Sequence, residues 1–131
     1  MPQKTILIID DEEPIRVLLK LTLQSAGYDS VLEASNGEDG LALAMRYKPD
    51  LILLDLMMPG IDGFEVIRRL RADPATADIQ IVILSALNSN EDVVKGFNVG
   101  ANDFIMKPII MEKLLSCVIT QMQVIEARQR G

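Results

Sequence analysis

Four charged residues of this sequence follow short apolar runs, where their side chains could meet in the folded chain. Asp10 and Asp11 follow the first run. Asp55 follows another, and Lys107 follows the last. Carboxylates within a few ångströms repel one another unless a divalent cation neutralises them. An all-oxygen set without histidine or thiolate suits Mg²⁺, with Mn²⁺ as a second candidate, and such ions are often shared with a phosphoryl oxygen.

The apolar runs are too short for helices and too uniformly apolar for a sheet that is wetted on one face. They are Thr5–Ile9, Leu51–Leu54, Ile79–Leu84 and Phe104–Met106. This pattern is typical of central parallel strands. The carboxyl ends of parallel strands lie at one edge of the sheet, where open α/β folds bind ligands. We therefore expect the charged residues to converge at that edge.

Helix-like segments alternate with strands about five times. The first helix opens at Asp11–Pro14, with acids and a proline in its first turn, and ends at Gly27; a short strand is predicted around Ser30–Ala34. The other helices are predicted from Gly37 to before Pro49, from about Gly63 to Arg71, from about Glu91 to Asn98, and after Pro108. This (βα)5 order predicts an α/β fold that right-handed crossovers wind into a three-layer sandwich.

The composition excludes several classes of function. The 131 residues fit one domain with its own core, and the net charge of −6 argues against nucleic-acid binding by this domain. The absence of histidine excludes a Ser-His or Cys-His catalytic pair and a phosphohistidine relay within the chain. No apolar run approaches the roughly 18 residues of a membrane span, and no leader precedes the first strand, so we expect a cytoplasmic protein without membrane contact.

Asp55 is the candidate nucleophile of the predicted site. It leaves the most central strand, and a carboxylate there can attack phosphorus in line. Asp10 and Asp11 lie side by side, as metal ligands would. Ser85, at the end of the fourth strand, offers a hydroxyl to a phosphoryl oxygen, and Lys107 offers a point charge to the same group.

These residues resemble the receiver domain of two-component response regulators. The matching stretches are Asp10–Asp11, Asp55–Gly63, Ser85–Ala86 and Lys107–Pro108. Their separations, 44 residues from Asp11 to Asp55, 30 on to Ser85 and 22 on to Lys107, resemble those of the single-domain chemotaxis regulator. The resemblance runs from about Lys4 to Ile125 and implies a flavodoxin-like fold, with a parallel five-stranded sheet of order 2-1-3-4-5.

The resemblance implies a phosphoacceptor signalling domain rather than an enzyme. Its activity would be the Mg²⁺-dependent transfer of a phosphoryl group to Asp55 from the phosphohistidine of a sensor histidine kinase or phosphotransfer protein, with weak self-catalysed phosphorylation and dephosphorylation. Ser85 and Lys107 would assist the transfer. The implied metal ligands are Asp10, Asp11, Asp55 and the main-chain oxygen of Met57.

The resemblance also implies a conformational switch. The phosphoryl group would draw Ser85 toward it, room would open behind Ala86, and the ring of Phe104 would move inward. The surface of the fourth helix, fifth strand and fifth helix would then change and control a downstream output domain or protein. A cis peptide bond between Lys107 and Pro108 is implied as well.

Other interpretations of the same residues stay open. Asp10 and Asp11, taken alone, could merely cap the first helix. A degenerate receiver that acts as a phosphorylation-independent binding module would normally have lost an acid or the lysine, and this chain keeps them. A haloacid dehalogenase-like phosphatase typically has a second aspartate two residues after its nucleophile, where this chain has Met57.

The last predicted helix carries a stripe of apolar residues. Its members are Leu115, Val118, Met122 and Ile125. Part of the stripe must pack on the sheet, but we expect the tail from Gln121 onward to lie beyond the sheet edge. There it could form a homodimer seam or begin a linker, so we assign residues 1–125 to the receiver and 126–131 to a helix extension or linker start. A homodimer through the fourth helix, fifth strand and fifth helix is the alternative.

Overall fold

The structure, a computed structural model, describes residues 3–87 and 89–130, in which five strands alternate with five helices. The strands are β1 (Thr5–Ile9), β2 (Ser30–Ala34), β3 (Leu51–Leu54), β4 (Gln80–Ser85) and β5 (Asp103–Met106). The helices are α1 (Glu13–Ser25), α2 (Gly37–Tyr47), α3 (Gly63–Ala72), α4 (Asn90–Val99) and α5 (Met111–Arg130). All strand pairs are parallel and the order is β2-β1-β3-β4-β5, so the predicted flavodoxin-like topology is confirmed.

The central strands β1, β3 and β4 are buried on both faces of the sheet. Their interiors are aliphatic at successive positions, so both faces are apolar. Their register brings their carboxyl ends level with one another. Ile9 pairs with Leu54, and Leu54 pairs with Ile83. On the far side of β4, Ser85 pairs with Met106 of β5. The residues that follow these strands are therefore presented along one edge of the sheet.

The helices begin where their sequences provide capping groups. The side chains of Asn36, Asp62 and Ser89 each accept a hydrogen bond from the backbone amide three residues later, at the start of α2, α3 and α4. Helix α1 lacks such a cap and has Pro14 in its first turn instead, where no amide hydrogen is needed. The caps and Pro14 therefore set where these four helices begin.

Two apolar clusters cover the two faces of the sheet. One joins the sheet to α2 and α3, with Phe104 and part of α4 packed against it. The other joins the sheet to α1 and α5. The helices thus form two outer layers around the sheet, as the three-layer prediction requires. Among the described residues, no helix has the length and apolar character needed to cross a membrane.

The prediction that α5 runs beyond the sheet edge from Gln121 onward is wrong. Met122 and Ile125 are buried in the cluster with α1, and Arg128 donates a hydrogen bond from Nη1 to the carbonyl oxygen of Asp78 at 2.8 Å. The 20-residue helix, about 30 Å long, therefore keeps its buried face against the domain through its second half. The division at residue 125 stays a prediction, and Gly131 lies outside the described residues.

Candidate functional site

The candidate site lies at the carboxyl edge of the sheet, and backbone hydrogen bonds fix its residues there. The amide of Asp10 donates to the carbonyl oxygen of Ala34 at 3.1 Å, and the amide of Asp55 donates to that of Ile9 at 2.9 Å. The amide of Lys107 likewise donates to the oxygen of Ser85 at 2.8 Å. Each residue therefore continues the ladder of its strand by one step, so its position follows from the fold.

Four carboxylates meet at this edge in what we call the acidic pocket. One carboxylate oxygen from each of Asp10, Asp11, Glu12 and Asp55 lies within 4.8 Å of the others. Asp10 and Asp55 are buried, whereas Asp11 and Glu12 are exposed, so the pocket opens to solvent on one side. Hard oxygen donors of this number fit Mg²⁺ or Mn²⁺.

Glu12 is the member of the acidic pocket that the sequence argument missed. Glu12 lies in the first turn of a predicted helix, where acidic residues are common because they interact favourably with the helix dipole, so it was not assigned to the site. The available signal was its place directly after Asp10 and Asp11, which makes a run of three acids at a strand end.

Lys107 supplies positive charge to the acidic pocket. Its Nζ lies 3.0 Å from Oδ2 of Asp10, 3.5 Å from Oδ2 of Asp55 and 4.0 Å from Oε1 of Glu12. Burial acts to lower the pKa of Lys107, but the hydrogen bond to Asp10 and the charges of Asp55 and Asp10 outweigh it, so this pKa is raised. The side chain is thus held as an ammonium ion at neutral pH.

The charged form of Asp55 is disfavoured by its surroundings, because its carboxylate is buried beside that of Asp10. Its side chain is only 5% exposed. Burial raises the pKa of Asp55, and so does the charge of Asp10. The charge of Lys107 and the amide of Met57, which donates to Oδ1 of Asp55 at 3.2 Å, act against this shift without cancelling it. A bound cation would relieve this unfavourable charge.

The loop after Asp55 packs directly on it. A Cβ atom on Gly63 would lie 2.7 Å from the carbonyl oxygen of Asp55 and 2.8 Å from Cα of Leu56, so only glycine allows α3 to start this close to the strand end. The side chain of Met57 is exposed to solvent. Its proposed use of a main-chain oxygen as a metal ligand stays a prediction.

The three predicted switch residues occupy neighbouring strands at the same side of the site. Ser85 is fully buried, and its Oγ accepts a hydrogen bond from the amide of Leu87 at 3.1 Å. Ala86 is exposed. The ring of Phe104 is half-buried against α4, where a Cβ atom on Gly96 would lie 3.4 Å from it and 2.8 Å from Cδ1 of Ile83. The peptide bond between Lys107 and Pro108 is cis, as the resemblance implies.

The structure thus brings Asp10, Asp11, Asp55 and Lys107 together, while their chemical functions stay predictions. A family model of the response regulator receiver domain matches residues 6–119, and the chain belongs to this family. It is therefore a receiver domain of two-component signalling, not a classical enzyme. Domains of this family interact with histidine kinases or phosphotransfer proteins and with output domains.

Individual relatives come from several kinds of regulator. The chain is 49% identical over 113 residues to the DNA-binding dual master transcriptional regulator RpaA of Synechocystis, covering 86% of this chain and 46% of that protein. It is 46% identical over 116 residues to the phosphate regulon transcriptional regulatory protein PhoB of Pseudomonas aeruginosa, covering 88% of this chain and 50% of that protein. The chain thus spans about half the length of these relatives. It also matches 93% of protein PilH of Pseudomonas aeruginosa at 40% identity, over 86% of this chain.

Solved structures agree with this assignment. The chemotaxis protein CheY4 of Vibrio cholerae is 33% identical and superimposes with a TM-score of 0.85, covering 91% of this chain and 98% of that one. A CheY-like receiver domain protein from Methanospirillum hungatei superimposes with a TM-score of 0.90 at 28% identity, covering 97% and 99% of the two chains.

Proposed function

We propose that Asp55 accepts a phosphoryl group from the phosphohistidine of a sensor histidine kinase or phosphotransfer protein. The observation that carries this proposal is the arrangement of the acidic pocket. Four carboxylates share one opening to solvent, and a single ammonium group from Lys107 touches the two that are buried. Such an arrangement has no packing purpose and matches the needs of phosphoryl transfer.

In the proposed reaction, a carboxylate oxygen of Asp55 forms a bond to phosphorus while the bond from phosphorus to the histidine nitrogen breaks. The nitrogen keeps the electron pair and takes up a proton, and Asp55 becomes an acyl phosphate. Lys107 is placed to neutralise a phosphoryl oxygen, and the hydroxyl hydrogen of Ser85 is available to a second one.

Asp10, Asp11, Asp55 and the main-chain oxygen of Met57 would hold Mg²⁺, or Mn²⁺ in its place. When bound, the ion neutralises the carboxylates and the charge on the transferring oxygens. The burial of Asp55 beside Asp10 supports this assignment, because it raises the pKa of Asp55 and makes the ionised carboxylate costlier, and a bound cation would offset that cost.

We further propose that phosphorylation acts on the surface of α4, β5 and α5 through Ser85, Ala86 and Phe104, and thereby controls an output domain or protein. Large apolar side chains on this surface are exposed to solvent and could be covered by a partner or by a second copy of the chain. They are Val94, Phe97, Met106 and Ile110.

The test is incubation with acetyl phosphate and Mg²⁺, read by intact mass. We expect one added phosphoryl group, none after Asp55→Asn, and none in the presence of a chelator. Asp62→Asn is the matched control, because this aspartate lies in the same loop and only caps α3, so it should still be phosphorylated. Unchanged mass would instead indicate a binding module, and continuous release of phosphate without saturation of the protein would indicate a hydrolase.

A further inference from the structure

The turn between β1 and α1 carries three of the four acids, and it is held by an arginine outside the acidic pocket. Arg16, in the second turn of α1, donates from Nη1 to the main-chain oxygen of Asp10 at 2.7 Å. Its Nε lies 3.5 Å from Oε1 of Glu33 on β2, and Lys20 also contacts Glu33, from Nζ to Oε2 at 3.4 Å. The side chain of Arg16 is only 15% exposed, so this geometry is well enclosed.

The two neighbouring aspartates are held very differently. Oδ1 of Asp10 accepts a hydrogen bond from the amide of Glu12 at 2.9 Å, and Oδ2 accepts one from Lys107 at 3.0 Å. Within residues 3–87 and 89–130, by contrast, the carboxylate of Asp11 makes no hydrogen bond or ion pair, although it belongs to the acidic pocket. The direction of the Asp11 side chain therefore depends on the backbone from which it projects.

That backbone is the peptide plane between Asp10 and Asp11, and Arg16 bonds to its oxygen. Since a peptide unit is planar, fixing the oxygen of Asp10 also fixes the nitrogen of Asp11 and limits where its carboxylate can point. Glu33 in turn fixes the guanidinium, because a planar fork can satisfy a carbonyl oxygen and a carboxylate at once.

From this geometry we infer that Arg16, oriented by Glu33, is a positioning residue that holds Asp11 in place as a Mg²⁺ ligand. The inference rests on the proposed function, because it assumes that the acidic pocket holds the ion. Arg16 does not touch the ion or the phosphoryl group. It acts through the peptide that joins the two aspartates.

Whether substitution of Arg16 weakens or strengthens Mg²⁺ binding distinguishes a positioning role from a purely electrostatic one. Removing a positive charge near the acidic pocket should strengthen the binding of Mg²⁺ by Coulomb attraction alone. Loss of the positioning contact should weaken it, and contacts behind a metal ligand are typically worth about tenfold or more in metal affinity. We therefore expect Arg16→Met to raise the Kd for Mg²⁺ about tenfold, against the electrostatic trend.

The experiment is isothermal titration of the full chain with Mg²⁺ alone, at a temperature where circular dichroism shows every variant folded. Arg16→Lys should give a Kd between wild type and Arg16→Met, since lysine can reach only one of the two partners. Glu33→Gln should weaken binding less than Arg16→Met does. Arg69→Met is the matched control, because Arg69 pairs with Glu65 on the exposed surface of α3 and should leave the Kd unchanged.

A second measurement distinguishes positioning from a general loss of structure. With acetyl phosphate as donor, Arg16→Met should raise the Mg²⁺ concentration that gives half the maximal rate, while the rate at saturating Mg²⁺ stays within about twofold of wild type. A Kd for Arg16→Met equal to or below that of wild type would overturn the inference and leave the proposed function intact. If wild type itself bound no Mg²⁺, the proposed function would fail first.

Discussion

Arg71 at the amino edge of the sheet and Lys107 at its carboxyl edge are both partly buried cations, and they are surrounded in opposite ways. At the amino edge, Arg71 of α3 donates to the carbonyl oxygens of Ala77, Ile79 and Gly100 and to Oδ1 of Asn102. These acceptors are neutral, and they join the start of β4 to the turn before β5. At the carboxyl edge, Lys107 faces three carboxylates within 4.0 Å.

The difference shows that the amino edge has its hydrogen bonds and charge satisfied within the chain, whereas the carboxyl edge does not. The donors of Arg71 are matched by neutral acceptors in fixed positions, which is an arrangement that serves stability. The acidic pocket carries more negative charge than Lys107 can balance, and burial makes this costly, so it gains from another cation. Added Mg²⁺ should therefore change the stability of variants at the carboxyl edge but not that of variants at the amino edge.

The largest effect on stability is expected from Arg71→Met. The substitution removes the Arg71 donors from three carbonyl oxygens and from Oδ1 of Asn102, which keeps only its hydrogen bond from the amide of Ile81. We expect the free energy of unfolding to fall by about 3 kcal/mol. Urea denaturation measures this change, and added Mg²⁺ should not restore it. Arg69→Met, which removes an exposed arginine from the same helix, should change the unfolding midpoint little. Equal midpoints for the two variants would contradict this view of the amino edge.

Lys107→Met tests the other edge. Loss of the ammonium group should slow phosphorylation by acetyl phosphate about a hundredfold, because charge on the transferring oxygens is then less well neutralised. The variant should also be less stable than wild type at pH 7 without Mg²⁺, since two buried carboxylates lose their partner. Unlike that of Arg71→Met, this instability should be partly reversed by Mg²⁺. A destabilisation that ignores Mg²⁺ would show that the edges do not differ in this way.

A smaller effect, of opposite sign, is expected from Asp55→Asn. Because the pKa of Asp55 is raised above its ordinary value of 3.8, the folded state binds more protons than the unfolded state just above that pH, and stability falls as the pH rises through this window. Without Mg²⁺, the variant should be about 1 kcal/mol more stable than wild type at pH 7. This difference in stability should vanish as the pH falls below 3.8, because Asp55 of the wild type is then protonated in both the folded and the unfolded state.

Urea denaturation at several pH values, with a chelator present, follows this difference between the two proteins. If Asp55→Asn were less stable than wild type at pH 7, the attraction of Lys107 would dominate and the acidic pocket would not be short of positive charge.

The sequence was sufficient for the fold and for the convergence of Asp10, Asp55 and Lys107. Their positions follow from strand ends, and parallel strands of a doubly wound sheet have their carboxyl ends on one edge. It was not sufficient for Glu12, whose inclusion depends on the path of one turn, or for the contact of Arg16 with a main-chain oxygen. Periodicity also failed to show that the tail of α5 from Gln121 onward packs on the domain, because the spacing of Met122 and Ile125 marks a buried face without telling what covers it.

The missing side chain of Gly96 has a mechanical consequence for α4. With no methyl group between this helix and the sheet, the backbone of α4 lies against Ile83 and the ring of Phe104. Because no intervening rotamer can absorb the movement, we expect any displacement of the ring toward α4 to push on the backbone of this 10-residue helix rather than on a single side chain.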